Sequence, residues 1–186
     1  MTEPIERQIK RYQKKLNKIA GVETPRATAS ALNKTARSVI PKVVRYVSQE
    51  TKVPQKFIRK KTFVSRATSR KQRAKIYGYA QAIPVVSLLK TKQLLKGARR
   101  GTNKRGVRVA GRQYDGAFIN VLRKSGRFQV LKRLGKGRYP LEVIKIPIEK
   151  EYERALEFFS RQKMRDDFPL LLKRDLQYRY RKYRAK

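Results

Sequence analysis

The stretch Gly116-Ala117-Phe118-Ile119-Asn120-Val121-Leu122, the turn around Ser125-Gly126, and the run Phe128-Gln129-Val130-Leu131-Lys132 decide the fold. Two short runs rich in β-branched and aromatic residues on either side of a turn signal predict neighbouring strands in a small antiparallel sheet. Within the second run, Phe128, Val130 and Lys132 alternate with Gln129, Leu131 and Arg133, so the pattern does not say which face is buried. Moving outward, Ala74–Ala80, Val107–Val109 and Leu141–Ile146 read as further strands, and Gly135-Lys136-Gly137 as another turn. Eight of the ten glycines lie between Gly97 and Gly137, so the centre has the punctuation of a β-rich region.

Both ends read as helix. Ile5, Ile9, Tyr12, Leu16 and Ile19 fall at i, i+4, i+7, i+11 and i+14, a single apolar stripe. Gly21 reads as its stop, and Thr24-Pro25 as the cap and first position of a second helix. That helix carries Ala31, Leu32, Ala36, Val39, Ile40, Val43, Val44 and Val47, with Pro41 expected to kink or split it. A short helical turn follows from Pro54 to Lys61. At the far end Ile148, Tyr152, Ala155, Leu156 and Phe159 recur at helical spacing behind Glu149, Glu151 and Glu153. Asp167-Phe168-Pro169 reads as the start of a separate last helix. The whole is an α+β chain: N-terminal helices, a central small antiparallel sheet or sandwich with a basic loop, and C-terminal helices. Its length suits one domain over residues 1–186, with a helical N-terminal segment (1–61), a basic β-rich centre (62–147) and a helical C-terminal segment (148–186).

Composition excludes much chemistry. Of 186 residues, 50 are Lys or Arg, 13 are Asp or Glu, and none is His or Cys, for a net charge of +37. There is thus no disulfide framework, no thiolate nucleophile or Cys-based metal site, and no imidazole base. The longest near-apolar run, Ile83–Leu89, is far short of a membrane span, and no signal peptide is visible, so the expected setting is the cytosol or something assembled there. The charge is uneven: Thr51–Leu141 holds 26 Lys and Arg against one acid, Asp115, a net +25, and the rest carries +12. Such a field calls for a polyanion or an assembly that tolerates it.

Arg99, Arg100, Lys104, Arg105, Arg108 and Arg112 are the candidate DNA-facing residues, set on a Gly-flanked loop and the strand after it. They suit phosphate neutralisation without base reading. Tyr178, Tyr180 and Tyr183 among basic residues could stack bases, but packing against a partner subunit or a frayed end explains them as well. Asp166, Asp167 and Asp175 suggest metal ligands only superficially, because Asp167 is explained by helix-start chemistry and the basic centre offers no convergent carboxylates. No cofactor or metal is expected. Gly135-Lys136-Gly137 lacks the spacing of a phosphate loop.

Further residues carry a family resemblance. Ala31-Leu32-Asn33-Lys34-Thr35-Ala36 and Gln49-Glu50-Thr51-Lys52-Val53 come first, then Ile83-Pro84-Val85-Val86, a polybasic loop and Gly116-Ala117-Phe118-Ile119. A strand ending in Lys132-Arg133 and the segment Arg138–Pro147 complete the order. The chain resembles the minor tail protein Z family of long-tailed, lambda-type bacteriophages over nearly its whole length. The resemblance implies a non-enzymatic virion protein of the tail completion and neck group, made in the host cytoplasm and placed at the head-proximal end of the tail. It implies a ring-forming subunit, on this reading a homohexamer. Its partners would be the tail tube or tail terminator, the head connector and packaged double-stranded DNA. Ile5, Ile9, Tyr12 and Leu16, with Glu149, Glu153 and Glu157, are the candidate ring contacts. The alternative is a stand-alone basic nucleic-acid-binding protein of ribosomal or nucleoid type.

Overall fold

The computed structural model describes residues 5–90, 93, 106–122 and 125–184. It is an α+β structure with a long helical N-terminal region, small antiparallel sheets and a long C-terminal helix. The chain divides into two compact units. One comprises residues 1–43, 62–78 and 155–186, and the other residues 44–61 and 79–154.

The first unit opens with helix α1, Ile5–Lys18, a π-helical segment Ile19–Glu23, and helix α2, Thr24–Thr51, whose first half belongs here. Helical hydrogen bonding is continuous through Gly21 and Thr24, contrary to the expected break. Pro25 has no N–H, and its ring would press on the Gly21 carbonyl in an ordinary α turn. The π segment relieves this. The Thr24 N–H donates five residues back to Ile19 O, and the Thr24 hydroxyl donates to the same oxygen at 3.1 Å. Nor does Pro41 split α2. It lies on the exposed side, where solvent can satisfy the carbonyl it strands.

The buried edge of α2 is made of small side chains at every fourth position: Ala27, Ala31, Thr35, Val39, Val43, Val47 and Thr51. The buried threonine hydroxyls are satisfied locally, Thr35 donating to Ala31 O at 2.9 Å and Thr51 to Val47 O at 2.6 Å. The same unit contains the hairpin of β1, Thr62–Ser65, and β2, Lys75–Gly78. Asn33 of α2 clamps its connection at Ala67, just beyond the end of β1. The Asn33 Nδ2 donates to Ala67 O at 2.9 Å, and Ala67 N donates to Asn33 Oδ1 at 2.8 Å. This reproduces a strand-like pair with a side chain.

In the second unit, α2 ends at Thr51 with Lys52 in the left-handed region (φ 58°) and Val53 fully buried behind it. Helix α3, Gln55–Arg59, follows. The β-rich region has β3 (Ile83–Pro84) with β9 (Lys145–Ile146), β4 (Val107–Val109) with β5 (Arg112–Tyr114), and the sheet β6 (Ala117–Val121), β7 (Phe128–Arg133) and β8 (Leu141–Val143). All pairs are antiparallel. The run Leu141–Ile146, expected as one strand, is two strands in two sheets. Ile144 makes the switch: its N–H donates to Val130 O at 2.9 Å, and its carbonyl accepts from Val85 N at 3.0 Å. The core here is Ile58, Ile83, Val85, Ala117, Ile119, Val130, Leu131, Ile146, Ile148 and Tyr152.

Helix α4, Glu149–Arg184, runs unbroken through Pro169, so the separate last helix expected at Asp167–Pro169 does not exist. Pro169 is exposed, as Pro41 is.

Two substitutions test these assignments in urea unfolding. Lys52→Gly should raise stability by about 0.5–1 kcal/mol, because it relieves a left-handed conformation that a side chain disfavours. Asn33→Ala should lower it by about 2 kcal/mol, through two lost hydrogen bonds and a stranded Ala67 amide. No loss in the Asn33 variant would show that the clamp is idle.

Candidate nucleic-acid interface

With so few acids, the placement of each one decides which cations are neutralised. In the first unit the opening half of α2 and the C-terminal half of α4 lie antiparallel, joined by a polar seam. Glu23, buried just before α2, takes Arg179 Nη1 on Oε2 at 2.8 Å and Arg26 Nη1 on Oε1 at 3.2 Å. Further along, Lys34 pairs with Asp175. Next, Asp167 Oδ2 accepts from Lys163 Nζ at 2.6 Å, with Ser38 Oγ at 3.4 Å. Lys42 Nζ stands 5.9 Å from the Phe159 ring centre. As residue numbers rise on α2 they fall on α4.

The seam shifts proton affinities. Lys163 holds the Asp167 carboxyl below its ordinary value, chiefly by its hydrogen bond, and Lys163 is itself raised by the same bond. At Asp175, burial is the largest influence and acts upward. Hydrogen bonds from Lys34 and Ser30 and the charges of Lys34 and Arg179 outweigh it, so this carboxyl too lies below its usual range. Asp167 and Asp175, which superficially suggested metal ligands, are thus occupied by ammonium groups. Among the described residues no three acidic side chains stand together as a metal-holding group.

Of the candidate DNA-facing residues, Arg99, Arg100, Lys104 and Arg105 lie outside the described residues. Arg108 on β4 and Arg112 on β5 are exposed. Their register puts them on opposite faces of the hairpin, since Arg108 is opposite Gln113 and Val109 is opposite Arg112. The hairpin does not combine them into one patch. Its turn, Ala110-Gly111, has φ of 50° and 76°, as a two-residue primed turn requires.

Among the candidate ring contacts, Ile5 is the first residue of α1. Ile9, Tyr12 and Leu16 form a bare stripe, 51–65% exposed, beside Arg7, Lys10, Lys14 and Lys15. Glu149, Glu153 and Glu157 fall four residues apart along α4, and all are exposed.

Sequence reasoning missed a second basic hairpin, β1–β2. Its connection carries Arg66, Arg70, Lys71 and Arg73, and Lys75 opens β2, with every one of these side chains exposed. No acid lies between Glu50 and Asp115. By contrast, Lys132 on β7 sits directly opposite Glu142 on β8. The available signal was the acid-free run itself, read as a hairpin tip.

The chain is similar to known proteins over most of its length. The family described as prophage minor tail protein Z (GPZ) matches residues 9–186. The chain is 33% identical over 165 residues to the tail completion protein of Escherichia phage N15, covering 87% of this chain and 84% of that one. It is 32% identical over 176 residues to tail completion protein Z of Escherichia phage lambda, covering 89% and 91%. No solved structure matches.

The seam is testable by acid. A carboxylate whose folded pKa is depressed stabilises the fold above its unfolded value, near about 4, and that contribution fades as pH falls through the folded value. Unfolding free energy should therefore decline below about pH 4, and Asp167→Asn with Asp175→Asn should flatten that decline. At neutral pH, Glu23→Gln should cost about 3 kcal/mol by leaving Arg179 uncompensated, against under about 0.5 kcal/mol for exposed Glu153→Gln. Equal costs at the two glutamates would dismiss the seam.

Proposed function

We propose, from the premise that this chain belongs to the minor tail protein Z family, that it completes the phage tail at its head-proximal end. It is a structural tail component of the virion. In this reading copies of the chain close into a ring, a homohexamer, which joins the tail tube or terminator to the head connector and surrounds the passage for packaged double-stranded DNA. It works by contact and not by catalysis. The observation that carries the proposal is the match to two proteins named for tail completion, over most of the length of each.

Physical features support the finer points. A ring needs two different, complementary surfaces on each subunit. The exposed apolar stripe Ile9, Tyr12, Leu16 with its flanking cations is one. The exposed line Glu149, Glu153, Glu157, with Phe158 63% exposed beside it, is the other. The net charge of +37 suits a subunit whose copies share a polyanion. Contacts to phosphate alone let DNA be held and passed without regard to sequence.

Removal of the gene from its phage should give particles whose tails fail to join heads, with infectivity restored by the wild-type chain. Undiminished infectivity would refute the tail-completion reading. With no native Cys, Leu16→Cys with Glu153→Cys should give disulfide-linked oligomers up to six in purified particles. Monomer alone would remove the proposed ring contact. Reversal of Arg99, Arg100, Lys104 and Arg105 to Glu should impair DNA retention or delivery while tails still form.

A further inference from the structure

We infer that the β1–β2 hairpin is a duplex-DNA contact arm, its tip cations Arg66, Arg70, Lys71, Arg73 and Lys75 gripping backbone phosphates. The inference rests on the reading that the chain meets packaged DNA, and it adds a contact on an element separate from the Arg99–Arg112 segment.

Three observations carry it. The first is charge. Five cations crowd ten residues with no acid among them, and none takes part in an ion pair among the described residues. Like charges this dense on one loop repel each other, and a polyanion removes that repulsion. The second is rigidity. The Asn33 clamp on Ala67 fixes the connection two residues beyond the end of β1. The tip is closed by Thr68 N donating to Lys71 O at 2.9 Å and Lys71 N to Thr68 Oγ1 at 3.0 Å. The cations are therefore presented on an ordered element, and less ordering entropy is lost on binding.

The third observation is facing. Thr62, Val64 and Ile76 lie on the hairpin's inner side and are buried or half-buried. The outer side carries Phe63, Ser65, Lys75 and Tyr77, with the Phe63 and Tyr77 rings stacked at 5.9 Å across the strands. That pair stiffens the arm, while the tip stays polar and cationic. The arm reads as a phosphate clamp.

The test uses the full chain and a 20-base-pair duplex, with affinity measured against salt. Removing Arg66, Arg70, Lys71 and Arg73 together as Gln should reduce the slope of log affinity against log salt by about 3–4, at about 0.9 per phosphate contact. The comparison variant, Arg7, Lys10, Lys14 and Lys15 to Gln on α1, removes equal charge and should reduce it by less than about 1. Independently, Lys71 and Lys75 in the wild-type chain should be protected by the duplex from amine acetylation, with Lys10 and Lys14 left reactive. Equal slope changes in the two variants, or no protection of Lys71, would overturn the arm while leaving the DNA reading standing. Wild-type protein with no salt-sensitive affinity for the duplex would defeat that reading itself. Hairpin-dependent binding to phosphatidylserine vesicles but not to duplex would overturn the assignment in favour of a lipid surface.

Discussion

The antiparallel seam between α2 and α4 is the interaction on which the first unit depends. A chain with 50 cations and 13 acids folds against its own repulsion, and the repulsion is least tolerable where two helices press together. The chain answers by placing acids there. Glu23, Asp167 and Asp175 are each enclosed by cations from the facing helix or the next turn. The partners Glu23 and Arg179 are 156 positions apart, so the seam ties the start of the chain to its end. Half-buried pairs of this kind add little net stability compared with an apolar contact, but breaking one leaves an uncompensated charge. They act mainly on register: a slip of one helix past the other would part Arg179 from Glu23 and Asp175 from Lys34 together.

Acids spent on the seam are unavailable elsewhere. From Thr51 to Leu141 a single acid faces 26 cations, and the hairpins of that stretch meet solvent with their charge uncancelled. The β1–β2 hairpin is held by small contributions, a hydrogen-bonded alanine, a stacked ring pair and a few β-branched residues, whereas β6 and β7 send Ile119, Val130 and Leu131 into the core. This division of labour explains a low-acid chain that still folds. The seam and the small-residue edge of α2 provide order, and the β elements carry the field outward.

Much of this was legible in the sequence. The α1 stripe, the sheet of β6 and β7 around Ser125-Gly126, and the α+β order all follow from period and turn chemistry. Errors arose where the backbone found an alternative to the local rule. Gly21 and Pro25 suggested a break, yet a π turn accommodates the proline. Pro41 suggested a kink or split and Pro169 the start of a separate helix, yet each is exposed within an unbroken helix. Ile144 hid a change of sheet, because its neighbours alternate as in one strand. At the candidate site, residue type was legible but facing was not. Arg108 and Arg112 are four apart, which looks like one face if the turn between them is ignored; the two-residue turn puts them on opposite sides. The β1–β2 arm went unread because Thr62–Ser65 is only four residues long and its neighbours are charged.

Asn33 connects the seam to the arm. Its helix carries the seam cations Lys34 and Lys42 and the seam hydroxyl Ser38, while its own amide holds the hairpin's connection at Ala67. The residue lies in the segment Ala31–Ala36 that first marked the family resemblance, and the clamp gives that segment a physical task. Small alanines let α2 pack closely, Thr35 satisfies itself against Ala31, Lys34 reaches Asp175, and Asn33 reaches the hairpin's connection. A leucine at position 33 would keep the helix and the seam and release the arm. The seam and the hairpin's placement are therefore set by adjacent residues of one helix but by different side chains, so breaking the clamp costs its own hydrogen bonds without parting the seam's ion pairs.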